Sequence, residues 1–229
     1  TQKVSDREKF GLEMDTVICK NCGLMYFNPR PTKKMYAELN RADYRIAASG
    51  TDQGTDEFFK KQKDFARTKI VPFVSEHLGG FKPMSFLDVG CGCGGTAAAF
   101  KEAYEEIELY GVEPVLGHGK YAKEKAGISV YGGLFEDFET DKRFDVIVYT
   151  QTINHTLDPR GNLEKIRELL TSEGVLFIGL WDLVNALLNR PLERMAEIYH
   201  PYIFCSETIK FLVKKTGFDI VDCRERVLD

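Results

Sequence analysis

The sequence predicts an α/β fold, a mainly parallel sheet flanked by helices, on three observations. Short apolar runs alternate with helical stretches of about ten residues from residue 84 onward. A glycine-rich loop, Leu87-Asp88-Val89-Gly90-Cys91-Gly92-Cys93-Gly94-Gly95, joins the first run to the first of these helices. An acid, Glu113, closes the next run. Strands separated by helices need right-handed crossovers, and these make neighbouring strands parallel.

Residues 56–78 place Phe58, Phe59, Phe65, Ile70, Phe73 and Leu78 at helical spacing interrupted at Pro72, a helix leading into the core. Ser85–Val89 reads as a strand ending in glycines, Thr96–Tyr104 as a helix, Ile107–Val112 as a strand and Leu116–Ala126 as a helix. Ile128–Tyr131 and Phe144–Tyr149 are strands, the second a buried one. Leu163–Leu170 is helical and closed by Ser172-Glu173-Gly174, and Val175–Leu180 is a strand. Ser206–Lys215 is a helix with Ser206 as N-cap and Gly217 beyond its end. Phe218–Cys223 is the last strand. Together these make a Rossmann-like domain over residues 56–229, preceded by an N-terminal appendage over residues 1–55. Residues 182–204 exceed a plain crossover and are bordered by Trp181, Tyr199, His200, Tyr202 and Phe204, so they read as an aromatic cap insertion over a ligand.

Composition narrows the function. With 229 residues, 43% hydrophobic and 29% charged, the chain buries a real core and is not disordered. The net charge is −4. A protein that holds a nucleic-acid backbone needs a positive surface, which the bulk of this chain lacks, although its first 45 residues lean basic. No apolar run reaches the roughly 18–20 residues that span a bilayer, and the start, TQKVSDREKF, has no signal-peptide core. Six cysteines, two of them inside the glycine loop, are not a disulfide framework. The expectation is a reducing, cytoplasmic compartment with no membrane partner.

A bare G-x-G-x-x-G match (Gly90, Gly92, Gly95) fits a nicotinamide or flavin dinucleotide as well as other ligands. Asp88 shifts the balance. It stands two residues before the first glycine, where a carboxylate repels a pyrophosphate and favours a ligand with a cationic amino group and no phosphate. S-adenosylmethionine is such a ligand. Glu113 can accept both hydroxyls of its ribose, a role that dinucleotide enzymes share. The competing reading of Asp88 is a cap on the loop's own N–H groups.

The order LDVGCGCGG, YGVEP, GGLFEDF, FDVIVYTQTINHTLDP and LTSEGVLFIGL over residues 84–220 resembles the class I S-adenosylmethionine-dependent methyltransferases of small-molecule type. The resemblance implies a seven-stranded sheet with an antiparallel last hairpin. It implies that Asp88, Gly90, Cys91, Gly92 and Gly94 surround the methionine part, and that Glu113, followed by Pro114, holds the ribose. Phe135, Glu136 and Asp137 would lie by the adenine, and Thr150 and Gln151 would face the cofactor, which leaves as S-adenosylhomocysteine. The Glu-His pair of such sequences reads Asn154-His155 here.

The segment CKNCGLMYFNPRP resembles the second knuckle of a zinc ribbon that precedes some of these domains. Cys19 and Cys22 have the spacing of half a zinc site, which needs four ligands. A vestigial turn with two thiols and a redox pair are the other readings.

Methyl transfer needs alignment of donor and acceptor, and a base helps an oxygen or carbon acceptor. Of the four histidines, His155 follows the fourth strand and His200 sits in the cap, so either can serve as general base. His77 and His118 read as surface residues, and Tyr36 and Tyr44 as residues that pack or close over the cofactor. The chain lacks the Asn/Asp-Pro-Pro-aromatic segment of nucleic-acid amine methylation and the Pro-Cys pair of pyrimidine methylation. The aromatic cap favours a small organic acceptor, and the zinc-ribbon-like start points by analogy to a sugar or secondary metabolite. A sugar, secondary metabolite or quinone-like ring is the expected acceptor and a homodimer the expected assembly. The alternatives are a cofactor-binding, non-catalytic subunit and an NAD-dependent oxidoreductase.

Overall fold

The computed structural model describes residues 1–7, 13–38, 50–180 and 199–225. In chain order its elements are β1 (Gln2–Arg7), β2 (Glu13–Ile18), β3 (Met25–Phe27), α1 (Lys33–Glu38), α2 (Asp56–Phe65), a π-helical turn (Ala66–Ile70) and α3 (Val71–His77). There follow β4 (Ser85–Val89), α4 (Gly95–Ala103), β5 (Glu108–Val112), α5 (Leu116–Ala126), β6 (Ser129–Tyr131) and β7 (Phe144–Thr150). The last are α6 (Pro159–Leu169), β8 (Leu170–Gly179), β9 (Tyr202–Ile203) and α7 (Ser206–Lys215). The chain divides into two compact units: Thr1–Tyr36 with Gln151–Glu164 and Leu180–Asp229, and Ala37–Thr150 with Lys165–Gly179.

The second unit carries a five-stranded sheet in the order β6-β5-β4-β7-β8, with every pair parallel. β4 and β7 are continuous apolar runs because both of their faces are covered. Phe86, Leu87, Val89, Phe144 and Val146 to Tyr149 are wholly buried. Asp88 in β4 and Asp145 in β7 are the buried acids of these strands, and Asp145 is fully partnered. Its carboxylate accepts from the Met84 and Ser85 N–H groups and from the Ser85 and Thr171 hydroxyls, at 2.9–3.1 Å. The chain leaves the central β4 toward β5 and β6 and returns to β7 and β8 on the other side. That reversal opens a crevice at the carboxyl ends of β4 and its neighbours, where the glycine loop lies.

α2 is capped by the Thr55 hydroxyl, which accepts from the Phe58 N–H. The helix does not break at Pro72. A π turn precedes it, with the Val71 N–H bonded five residues back to the Ala66 carbonyl. Ala66, Ile70, Val74 and Leu78 then join the core beside Phe86 and Phe100, each fully buried apolar side chain of Val or Phe size contributing about 1.5–3 kcal/mol. Phe65 is exposed instead.

Three expectations at element ends are corrected. Ser172-Glu173-Gly174 does not separate helix from strand: β8 begins at Leu170 and absorbs the segment as an irregularity between the Phe144–Leu170 and Val146–Val175 pairs. The last helix is capped by Cys205 rather than Ser206, because the extended Cys205 donates its N–H to the Thr208 hydroxyl. Gly217 follows that helix at φ +86°. Among the described residues Phe218–Cys223 pairs with no strand, and the parallel sheet has five strands rather than seven.

The first unit carries an antiparallel sheet, β1-β2-β3-β9. β9, from the end of the expected cap insertion, pairs with β3 through Met25–Ile203 and Tyr26–Tyr202. The rest of that insertion, with Trp181, lies outside the described residues, as does Tyr44. Cys19 and Cys22 flank a turn closed by the Cys19 N–H on the Leu24 carbonyl and the Gly23 N–H on the Cys19 carbonyl. Backbone N–H groups of Cys22 and Asn21 hold the Cys19 thiol below its usual range. Among the described residues no third ligand joins the two sulfurs in a metal-binding group. No helix there is long and apolar enough to cross a membrane.

Candidate functional site

The glycine loop runs from the end of β4 into α4, and its backbone donors can be counted one by one. The Gly90 and Cys91 N–H groups bond the Val112 carbonyl, at 2.8 and 3.0 Å. The Gly92 N–H bonds Glu113 Oε2 at 2.8 Å. The Cys93 N–H bonds Gln62 Oε1 at 3.0 Å, and the Gly94 N–H bonds the Cys91 carbonyl at 2.9 Å. Every N–H from Gly90 to Gly94 is therefore spent inside the protein. A pyrophosphate-binding loop needs such donors aimed at the ligand. This loop holds itself closed, and the acids Asp88 and Glu113 stand beside it, the second bonded to it directly.

Asp88 is 3% exposed, and its Oδ2 has no hydrogen-bond partner. Burial, with the Glu113 carboxylate as a second cause, pushes its pKa up to about 8. A buried, unpartnered carboxylate oxygen is costly unless a cation or donor meets it. Glu113 is equally buried, and besides Gly92 it accepts from the Val115 N–H through Oε1 at 2.9 Å. Loop capping thus falls to Glu113 rather than to Asp88. Glu113 thereby ties the Gly92 and Val115 N–H groups together through its two oxygens. Pro114 follows it half-buried.

Gly92 sits at φ +54°, and a Cβ there would stand 2.6 Å from Gln62 Nε2 and 3.2 Å from Phe58 Cε1. A Cβ on Gly95 would strike the Phe59 carbonyl oxygen. These glycines admit α2 to the loop, a use the sequence reading did not foresee. Gly92→Val should cost about 1–3 kcal/mol in backbone strain and about as much again in overpacking. Thermal melts and cofactor titration should both record the loss.

Phe135 and Glu136 form a 3₁₀ turn with Asp137. Phe135 is buried against Phe138 and Tyr149, and Lys165 donates to the Phe135 and Glu136 carbonyls at 3.0 and 3.1 Å. Burial holds Lys165 below the usual lysine range. Thr150 ends β7, and Gln151 after it takes a left-handed φ of +53°. Cys91 and Cys93 are wholly buried, and burial raises the Cys91 thiol far above its usual range, so it is an inert apolar group rather than a nucleophile.

His155 and His200, 45 positions apart in the chain, meet in the first unit. Their Nε2 atoms are 3.0 Å apart and their rings cross edge-to-face at 70°. One ring must donate and the other accept, so at least one is neutral. The Tyr36 hydroxyl bonds the Tyr199 carbonyl at 2.6 Å, and Tyr202 donates to the Leu157 carbonyl at 3.2 Å, fixing the chain on both sides of His200. Tyr36 is buried and holds this segment. The guanidinium of Arg30 bonds the same Leu157 carbonyl and lies 5.3 Å from the centre of the Tyr202 ring.

Sequence reasoning missed Gln62 and Lys165, whose partners lie about thirty positions away, and it misplaced His118. That histidine is 2% exposed, against the Phe58 ring. Packing of the half-buried Phe58 over the buried His118 is a tertiary event that leaves no short-range mark.

Comparison with known proteins adds three findings. A family model described as a methyltransferase domain matches residues 60–222. The chain is 26% identical over 138 residues to (S)-tetrahydroprotoberberine N-methyltransferase of Eschscholzia californica, covering 57% of this chain and 39% of that protein. It is 26% identical over 172 residues to the O-methyltransferase cnsE of Penicillium expansum, covering 69% of this chain and 59% of that protein. The chain therefore spans less than two thirds of either relative's length. The plantazolicin methyltransferase BamL, solved with a triazolic desmethylPZN analog and SAH, shares the fold at a TM-score of 0.60 and 20% identity, over 82% of this chain and 76% of that one.

Proposed function

This chain belongs to the methyltransferase-domain family, and from that premise we propose that it transfers a methyl group from S-adenosylmethionine to a small organic acceptor, a sugar, secondary metabolite or quinone-like ring. One observation carries the choice of cofactor: the buried, unpartnered Asp88 oxygen beside a loop whose donors from Gly90 to Gly94 are already used. That arrangement suits an ammonium and leaves a pyrophosphate nothing to bind, which argues against the oxidoreductase reading. When bound, the cofactor supplies an electrophilic methyl group on a sulfonium.

The chain's own residues bind and orient. Asp88 takes the ammonium, Glu113 accepts from the ribose hydroxyls, and Phe135 with Glu136 offers an apolar wall and a polar edge to the adenine. The His155–His200 pair is the candidate base. A proton taken from an acceptor hydroxyl or amine is shared across the two rings. Asn154 Oδ1, buried and unpartnered, gives the acceptor a second polar anchor. Both N- and O-methyltransferases occur among the relatives, so the methylated atom is left to the acceptor screen. We place the protein in the cytoplasm on the sequence reading that six cysteines, two of them inside the glycine loop, do not make a disulfide framework.

The first test is parallel calorimetric titration with S-adenosylhomocysteine and NADH. Micromolar binding of the first alone supports the reading, and binding of NADH alone overturns it. Radiolabelled methyl transfer to phenols, sugars and amines follows. His155→Ala and His200→Ala should each lower turnover by roughly 10²–10⁴-fold while leaving cofactor affinity unchanged. Cofactor binding with no loss in either variant would favour the non-catalytic subunit.

A further inference from the structure

Outside the two acids, the group that most constrains the glycine loop is an uncharged side chain from a helix thirty residues upstream. Gln62 on α2 donates through Nε2 to the Cys91 carbonyl at 3.2 Å and accepts the Cys93 N–H on Oε1 at 3.0 Å. It therefore clips the peptide groups on either side of Gly92. The Gly92 N–H between them is the anchor of Glu113 Oε2. A single carboxamide thus ties the loop's outer face to α2, while the loop's own donor ties Glu113 in place. No other side-chain type of that length offers a donor and an acceptor in one plane. The close approach depends on Gly92 and Gly95, where a Cβ would run into Gln62.

We propose that Gln62 is a positioning residue for the cofactor: it holds the loop in the one shape in which Glu113 is anchored and Asp88 faces the ligand. The inference rests on the cofactor reading above. The residue touches the loop rather than the ligand, so its effect is on the alignment of the two acids.

The test uses Gln62→Met, which keeps the stem that packs beside Gly95 and removes both hydrogen bonds. Both bonds to the loop are lost, so the dissociation constant for S-adenosylhomocysteine should rise roughly tenfold. Gln62→Glu keeps the acceptor for Cys93 but sets an oxygen against the Cys91 carbonyl and adds a third acid, so it should bind more weakly still at neutral pH. Amide exchange without cofactor gives an independent readout. Exchange at residues 91–94 should quicken in Gln62→Met while the β4 and β7 amides stay protected, whereas a general loss of stability would quicken all of them. Wild-type affinity in Gln62→Met overturns the proposal. If the unaltered chain takes up no S-adenosylhomocysteine, the functional reading fails on its own account, and exchange alone decides the clamp: local quickening supports it and unchanged exchange overturns it.

Discussion

Asp88→Asn should raise the dissociation constant for S-adenosylhomocysteine by about a hundredfold and remove its pH dependence. Asp88 holds its proton in the folded protein until pH rises through about 8, whereas an unfolded aspartate ionises near 3.9. A cationic ammonium requires the ionised form, so binding below that value must expel a proton. Affinity should strengthen roughly tenfold per pH unit on the way up to about 8 and then level off. Titrations in buffers of different ionisation enthalpy would register close to one proton released at pH 7 in the unaltered chain and none in Asp88→Asn.

The stability of the ligand-free protein runs the opposite way. Between about pH 4 and 8 the native state binds the proton and the unfolded state does not, so stability falls as pH rises through that window. Asp88→Asn removes this liability, and its ligand-free melting temperature should exceed that of the unaltered chain most clearly at pH 8. A variant that loses affinity while gaining stability has lost a ligand-facing charge; loss of both would mean that Asp88 is a structural cap. A flat pH profile in the unaltered chain would reject the assignment outright.

The strands that frame this site were legible because their physics is local. β4 and α5 begin and end where the apolar pattern does, since β4 is covered on both faces and Gly127, at φ +64°, stops the helix. Asp88 and Glu113 stood out as acids at strand ends. What they do could not be divided between them from sequence, because the Glu113 bond to the Gly92 N–H joins side chains and loops brought together only by the parallel register of β4 and β5. Phe218–Cys223 shows the converse. Its residues have strand character, but a strand exists only with a ladder partner, and the pattern says nothing about one. The contact of His155 with His200 was likewise invisible, although each was singled out alone.

Glu113→Ala is the change with the widest reach, because Glu113 serves structure and ligand at once. Loss of an acid that only met the ligand would weaken binding without harm to the fold. The geometry predicts otherwise: removing the carboxylate strands the buried Gly92 and Val115 N–H groups. Each stranded donor costs about 1–3 kcal/mol, and each kcal/mol lowers the melting temperature of a chain of this size by roughly 2–4 °C. A fall of about 5–20 °C should accompany the loss of cofactor affinity, in contrast to Asp88→Asn. Glu113→Gln keeps one acceptor oxygen and should fall between. Because the Glu113 charge is the second cause of the raised Asp88 pKa, the residual binding of Glu113→Gln should reach its plateau at a lower pH. Unchanged melting in Glu113→Ala would show that water satisfies both donors and that Glu113 is not the loop's cap. An unmoved plateau in Glu113→Gln would show that burial alone sets the ionisation of Asp88.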